Sequence, residues 1–212
     1  SPVEMPLINE VNAVLWAWYS GMEGGNALAD ILTGKIVPSG KMPFTLPYKY
    51  EDCPVARYGE HKAGNCKYNE DIFVGYRGFE YDDIKPMFSF GHGLSYSKFE
   101  YSNLKITSSE NRVEISCMIK NIGEFNAKET IQLYIGDLQC SVKQPIKELV
   151  DFKKIDFAIG ETKEVTFFVT EEQLSFYDEI TDSWKFESGE FKVFIGSSSS
   201  DIRLQGNFIF EK

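Results

Sequence analysis

The amino-acid sequence predicts a mainly β protein. An immunoglobulin-like β-sandwich forms its C-terminal end, preceded by the closing βα unit of an α/β sheet and a long interdomain loop. Three observations carry this expectation. Apolar residues alternate regularly from about residue 98 onward; one apolar run and one amphipathic helix precede residue 47; and the stretch between is rich in Gly, Tyr, Asp and Pro with little periodicity. The 212 residues thus divide into 1–47, 48–97 and 98–212, enough chain for one full domain and part of another.

In the third segment Val113, Ile115, Cys117 and Ile119 fall on one face of a pleated strand. The same holds for Ile131, Leu133 and Ile135, for Val165, Phe167 and Val169, and for Phe191, Val193 and Ile195. Ile202, Leu204, Phe208 and Phe210 add a last strand, with a break expected at Gly206. Turn signals lie between them at Asn121-Ile122-Gly123, Ile159-Gly160, Ser188-Gly189 and residues 197–201. With Leu104/Ile106 and residues 149–155 this makes about seven short strands, as in an immunoglobulin-like sandwich. No Cys–Trp–Cys pattern of antibody type is present, so a fibronectin type III-like sandwich is expected.

Residues 11–18 (VNAVLWAW) are a nearly continuous apolar run of strand length, the pattern of a strand covered on both faces. Asn26 is expected to cap a helix in which Leu28, Ile31 and Leu32 share one face, with Gly34 ending it in a left-handed conformation. One strand and one helix cannot bury each other's apolar surface. The unit therefore reads as the end of a larger α/β sheet, and the chain as a fragment. In the middle segment only residues 72–77 (IFVGYR) suggest a strand, and so long an irregular stretch points to a functional loop or a clamped linker.

The net charge of −10 repels phosphate backbones and anionic lipid, so neither nucleic acid nor a membrane surface is an expected partner. No run approaches the ~20 apolar residues of a membrane span. Residues 1–6 lack a signal-peptide pattern, which carries little weight in a fragment. Cys53, Cys66, Cys117 and Cys140 are widely and irregularly spaced without a Cys/His cluster, so no metal site is expected and free thiols in a reducing compartment are favoured. The absence of an Asn-x-Ser/Thr sequon points the same way, towards a cytoplasmic protein.

Several stretches taken in order resemble glycoside hydrolase family 3, the β-glucosidase and β-xylosidase family. Residues 13–19 (AVLWAWY) and 21–30 (GMEGGNALAD) are similar to the family's AVL-x-AWYPGQEGGNALADVL, with Ser20 for Pro and Met22 for Gln. Residues 38–47 (PSGKMPFTLP) are similar to NPSGKLPVTFP; 68–77 (YNEDIFVGYR) to Y-x-EGIFVGYR, with Asp71 for Gly; and 88–96 (FSFGHGLSY) to FPFGHGLSYTTF, with Ser89 for Pro. Residues 132–134 (QLY), 145–149 (PIKEL) and 201–204 (DIRL) fit the family's sandwich domain. The resemblance implies a barrel first, an α/β sandwich second and a fibronectin-like domain third. It also implies a carboxylate nucleophile in a Ser-Asp-Trp-type motif on the barrel, and a general acid/base Glu upstream of the AVL strand. This sequence has no Ser-Asp-Trp. Its end at Lys212 fits either an ordinary C-terminus or a cut before a permuted barrel.

No catalytic residue is therefore assigned to this chain, the substrate-binding residues are left open, and no cofactor or metal is expected. The expected function is structural and cleft-shaping within a retaining β-glucosidase-type enzyme. Its partners would be the missing barrel and upstream α/β domain, with β-glucoside bound through the parent and a homodimer as a further option. The rival reading is a non-catalytic fibronectin-like module for carbohydrate binding or adhesion.

Individual residues carry two readings each. Glu23, after the expected strand, is either near a cleft or an acceptor for N–H groups at the helix start, the second being favoured. Gly24 and Gly25 precede a helix, a weak signal for an anion. Glu70 and Arg77 are expected to pair with each other or to clamp the loop. His92, between two glycines, is read as a turn or domain-contact residue rather than a base, and His61 as a solvated loop residue. Trp16 and Trp18 are expected in the core, Tyr58, Tyr68, Phe79 and Tyr81 are the better candidates for stacking on sugar, and Glu171-Glu172 are a solvated surface.

Overall fold

The computed structural model describes residue 5 and residues 7–62 and 64–211, excluding the side chains of residues 61 and 62. The elements before the sandwich are α1 (Gly24–Leu32), α2 (Pro54–Tyr58), the small hairpin of β1 (Glu60–Lys62) and β2 (Asn65–Lys67), and α3 (Tyr76–Tyr81).

The strand expected at residues 11–18 does not form. A strand needs a neighbouring backbone to take up its N–H and C=O groups, and no described residue does so here. Val11, Val14, Leu15 and Trp18 consequently stand 42–52% exposed. Helix α1 begins two residues before the expected cap. Glu23 takes the cap position without a side-chain bond to the backbone, and Asn26 donates from Nδ2 to Glu23 Oε2 at 2.5 Å. Its C-terminus follows the expectation: Gly34 has φ +74° and its N–H bonds the Ile31 carbonyl at 3.0 Å. Leu28 and Leu32 of the apolar face remain exposed.

The strand expected at residues 72–77 is replaced by a turn and α3. Gly75, at φ +55°, reverses the chain, and a Cβ at Gly78 would stand 2.2 Å from the Phe73 carbonyl oxygen. Only glycine permits the helix to fold back so closely on the Ile72-Phe73-Val74 turn.

The sandwich follows the expected alternation. Its strands are β3 (Phe99–Ser108), β4 (Arg112–Asn121), β5 (Ala127–Asp137), β6 (Glu148–Phe157) and β7 (Thr162–Thr170), then β8 (Phe176–Asp178), β9 (Ser183–Lys185), β10 (Gly189–Gly196) and β11 (Ile202–Phe210). One antiparallel sheet runs β11-β10-β5-β6 and the other β3-β4-β7. The two inner faces enclose Val113, Ile115, Ile119, Ile131, Leu133, Phe167, Val193 and Ile195, all fully buried. Helix α4 (Glu171–Leu174), closed by a Thr170–Gln173 capping box, leads into the β8–β9 hairpin, which the sequence pattern did not announce. The expected break at Gly206 is absent: the strand runs through it opposite Val193. A Cβ there would reach 2.8 Å from Ile106 Cδ1, so the glycine makes room for side chains of β3 rather than ending the strand. Cys53, Cys117 and Cys140 are free thiols, and burial pushes the core thiol of Cys117 up to about 12.

Candidate functional site

The middle of the chain is organised by a two-stranded ribbon that joins two of the sequence motifs. Leu46 N–H donates to the Phe88 carbonyl at 2.8 Å and Phe88 N–H returns the bond at 3.1 Å. Gly91 N–H donates to the Met42 carbonyl at 2.7 Å and Met42 N–H to the His92 carbonyl at 2.8 Å. Residues 38–47 and 88–93 are thus one structural unit, with Leu46 fully buried.

Three polar clusters seat this unit and helix α3 on the sandwich. In the first, Gln132 on β5 donates from Nε2 to the Ser197 carbonyl at 2.7 Å and accepts from Tyr134 OH at 2.5 Å, while Ser199 N–H donates to the Phe90 carbonyl at 2.9 Å. In the second, Arg77 Nη1 meets Glu148 Oε1 at 2.7 Å, Leu149 N–H donates to Tyr76 OH at 2.8 Å, and Lys147 Nζ stands 2.6 Å from Glu80 Oε2. In the third, Lys41 Nζ lies 3.8 Å from Glu129 Oε1, which accepts from Tyr101 OH at 2.8 Å, and Lys154 Nζ holds the Ser39 carbonyl at 2.9 Å. The buried Glu129 and half-buried Glu80 carboxylates are tolerable here because Lys41 and Lys147 face them. The arrangement is a clamp.

Burial sets the ionisation of this junction. It pushes the Tyr76 phenol up to about 12, raises the Glu80 carboxyl against the pull of Lys147, and lowers Lys41 against the pull of Glu129. Burial, helped by the Lys41 charge and opposed by Asp201, holds the His92 imidazole below its usual 6.5. The unfolded chain then gains a proton near pH 6.5 that the folded chain refuses, so His92 withdraws stability as pH falls below that value. Glu80 has the opposite sign. Its raised carboxyl is protonated first in the folded state, which restores stability as pH falls towards the ordinary carboxylate range. Replacing His92 by Phe should therefore flatten the loss of stability between about pH 6.5 and 5.5. Urea unfolding across a pH series measures this, and a profile unchanged by His92→Phe would contradict it.

The expected site residues are distributed as follows. Arg77 does not pair with Glu70 but reaches Glu148 on β6, the clamp rather than the local pair. Glu70 is buried, and its Oε2 has no hydrogen-bond partner among the described residues. The local pairing presupposed a strand between the two; α3 instead directs Arg77 to the sandwich. Glu23 stands at the N-cap of α1, yet its carboxylate accepts from the Asn26 side chain and makes no bond to the helix backbone. Gly24 lies close to the Ser20 side chain, and Gly25 faces open space. His92 stacks on Phe88 at 5.1 Å between ring centroids within the ribbon turn, a contact role. The backbone of His61 is in β1, not a loop, and its side chain lies outside the described residues.

Trp16 and Trp18 are not core residues. They form an edge-to-face trio with Phe44 at 5.6–5.8 Å, Trp18 being 52% exposed, since no described residue covers that side. Phe79 is buried and cannot reach a sugar. Tyr58 donates to Asp82 at 2.6 Å, and Tyr81 packs on Phe73 with Lys143 Nζ 4.1 Å from its ring centre. Tyr68, 73% exposed, is the freest of the four. Glu171 and Glu172 lie in the first turn of α4, where the helix dipole favours them. Among the described residues no group of three or more His, Cys, Asp or Glu side chains is placed to hold a metal, and no helix is long and apolar enough to cross a membrane. Sequence reasoning missed Lys41, Glu129 and Gln132; only their place in or near the family-like motifs hinted at them.

Comparison with known proteins accounts for this architecture. The glycosyl hydrolase family 3 C-terminal domain profile matches residues 1–96, and the fibronectin type III-like domain profile matches residues 129–199. The chain is 45% identical to beta-glucosidase BoGH3A of Bacteroides ovatus, over 99% of this chain and 29% of that protein. It is 42% identical to thermostable beta-glucosidase B of Acetivibrio thermocellus, over 97% and 28%. The crystal structure of beta-glucosidase from Kluyveromyces marxianus in complex with glucose superposes with a TM-score of 0.95 at 39% identity, over 100% of this chain and 26% of that one. That of beta-glucosidase 3B from Thermotoga neapolitana in complex with glucose gives 0.91 at 36%, over 100% and 30%. The chain therefore spans between 26% and 30% of the length of these proteins. Matched along its length in one domain order, the chain belongs to glycoside hydrolase family 3, as the C-terminal portion comprising the end of the α/β domain and the fibronectin type III-like domain.

Proposed function

We propose that this chain is the structural, cleft-shaping part of a retaining β-glucosidase-type hydrolase that removes terminal β-linked glucose, and that it holds none of the catalytic residues. Retention requires two carboxyls about 5–5.5 Å apart across the scissile bond. By family resemblance both belong to the barrel and to the α/β domain upstream of residue 11. The observation that carries the reading is the clamp. Its ion pairs fix α3 (Lys147–Glu80 and Arg77–Glu148) and the ribbon (Lys41–Glu129) to the sandwich, while residues 11–32 keep an apolar face open for more of an α/β domain. We divide the chain at 1–47, 48–97 and 98–212, the middle segment forming the clamp together with residues 38–47. No cofactor or metal takes part, and of the aromatic candidates in the middle segment Tyr68 is the best exposed to contact sugar.

The isolated chain should hydrolyse neither an aryl β-glucoside nor an aryl β-xyloside above the buffer rate. Joined to the preceding barrel and α/β sequence of a family 3 enzyme, it should give an active protein. Turnover by the isolated chain that survives purification and vanishes on mutation of one of its own carboxylates would overturn the reading.

A further inference from the structure

Two strands of the sandwich are edges of their sheets, β6 in one and β7 in the other, and a short turn at residues 158–161 joins them. An edge strand carries backbone N–H and C=O groups without a partner in its own sheet, and these can take up a strand of another molecule. By sequence β7 carries the greater hazard. Its residues 165–169 (VTFFV) are uncharged, free of Pro and Gly, and entirely β-branched or aromatic, the composition that adds strands most readily. In β6, by contrast, Asp151, Lys153, Lys154 and Asp156 break up the apolar residues, and Lys154 is committed to the Ser39 carbonyl.

Two lysines cross between these edges in opposite directions. Lys153 of β6 donates from Nζ to the Thr166 carbonyl, within the VTFFV run, and lies 5.4 Å from the ring centre of Phe167. Lys163 of β7 donates to the Asp156 carbonyl at 2.7 Å and lies 5.4 Å from the ring centre of Phe157, with Glu161 3.2 Å away. Both rings are buried, so each lysine stem covers core at the seam between the sheets. An ammonium donates and cannot accept. A strand arriving at Thr166 therefore finds its carbonyl taken and a positive charge facing its own N–H groups.

Without the lysines the edge would suit a copy of itself. Antiparallel pairing of two β7 strands about Thr166 sets Val165 against Phe167, Glu164 against Phe168 and Lys163 against Val169, so no like charges meet. We infer that β7 is a latent docking edge for β7 of a second copy of this chain, and that Lys153 and Lys163 keep it shut. This edge is separate from the apolar face of residues 11–32 and independent of the family reading.

The test uses the 212-residue chain carrying Leu15→Ser and Trp18→Ser, so that contacts through residues 11–32 do not mask those through β7. In that background Lys153→Met with Lys163→Met keeps both stems and removes both donors. The loss of two positive charges takes the net charge from −10 to −12, which by itself opposes association. Sedimentation should nevertheless show self-association about ten-fold tighter than in the background. Amide exchange in residues 162–170 should slow about ten-fold as concentration rises. Lys153→Met alone should shift both readouts in the same direction, and it replaces the pair if the pair loses its cooperative thermal transition. Lys153→Arg with Lys163→Arg keeps the donors and should match the background. Lys105→Met with Lys120→Met, the same charge change on β3 and β4, should match it too. A Met variant no more associated than the background overturns the inference. Association that leaves exchange in residues 162–170 unchanged, or that the Arg pair or the Lys105/Lys120 pair reproduces, overturns it as well.

Discussion

The isolated 212-residue chain should self-associate at micromolar concentration, and the association should disappear when the face of residues 11–32 is made polar. Val11, Val14, Leu15 and Trp18 are 42–52% exposed, Leu32 is 68% exposed, and Tyr19 and Met22 are almost wholly in water. Leaving about 400 Å² of such surface hydrated forgoes roughly 10 kcal/mol at ~25 cal/mol per Å². A second copy recovers part of this after the cost of association. The backbone of residues 11–18 adds unpaired N–H and C=O groups that invite another chain edge. Sedimentation at several concentrations measures the effect. Leu15→Ser with Trp18→Ser should return the chain towards a monomer without loss of the sandwich's thermal transition, since neither residue touches its core. A wild-type chain that stays strictly monomeric, with amides of residues 11–18 protected from exchange, would show that this segment covers itself.

The same segment shows what a sequence pattern can and cannot specify. Residues 113–119 and 131–135 were legible because each strand buries one face against the other sheet, and a period of two survives any detail of packing. Residues 11–18 carry an equally clear apolar signal, but a strand is a relation between two backbones, and the run alone does not contain its partner. Residues 72–77 were misread for another reason. Three apolar residues between polar ones fit a strand or a turn equally well, and what decides for α3, the left-handed turn at Gly75 and the close Phe73 carbonyl at Gly78, is invisible to periodicity. The short strands of the β8–β9 hairpin have too few residues to show a period at all. At the clamp the motifs were legible and their contacts were not. Gln132 and Glu129 look like ordinary polar residues in β5, and they are buried only because the ribbon, distant in sequence, lies over them.

Replacing Gly91 by Ala should cost about 3 kcal/mol, the largest single-residue effect expected at the clamp. Gly91 has φ +79°, a left-handed conformation that costs an L-residue roughly 1–2 kcal/mol. Its new Cβ would also stand 2.2 Å from Gln132 Oε1 and 2.7 Å from Nε2. That side chain has nowhere to go. It is buried, it donates to the Ser197 carbonyl at 2.7 Å and it accepts from the Tyr134 hydroxyl at 2.5 Å. Moving it strands at least one buried polar group, worth about 1–3 kcal/mol. Gly160→Ala separates the two terms, because Gly160 has φ +74° with nothing within 4 Å of the added Cβ and should show the backbone cost alone. A double-mutant cycle isolates the steric term. Gly91→Ala made in a Gln132→Ala background should cost little more than Gly160→Ala, since the obstructing side chain is gone. Urea unfolding gives the stabilities, and limited proteolysis of residues 48–97 reports whether the ribbon has lifted from β5. Equal losses for Gly91→Ala and Gly160→Ala in the wild-type background would mean that Gln132 yields freely, and that the clamp is looser than its hydrogen bonds imply.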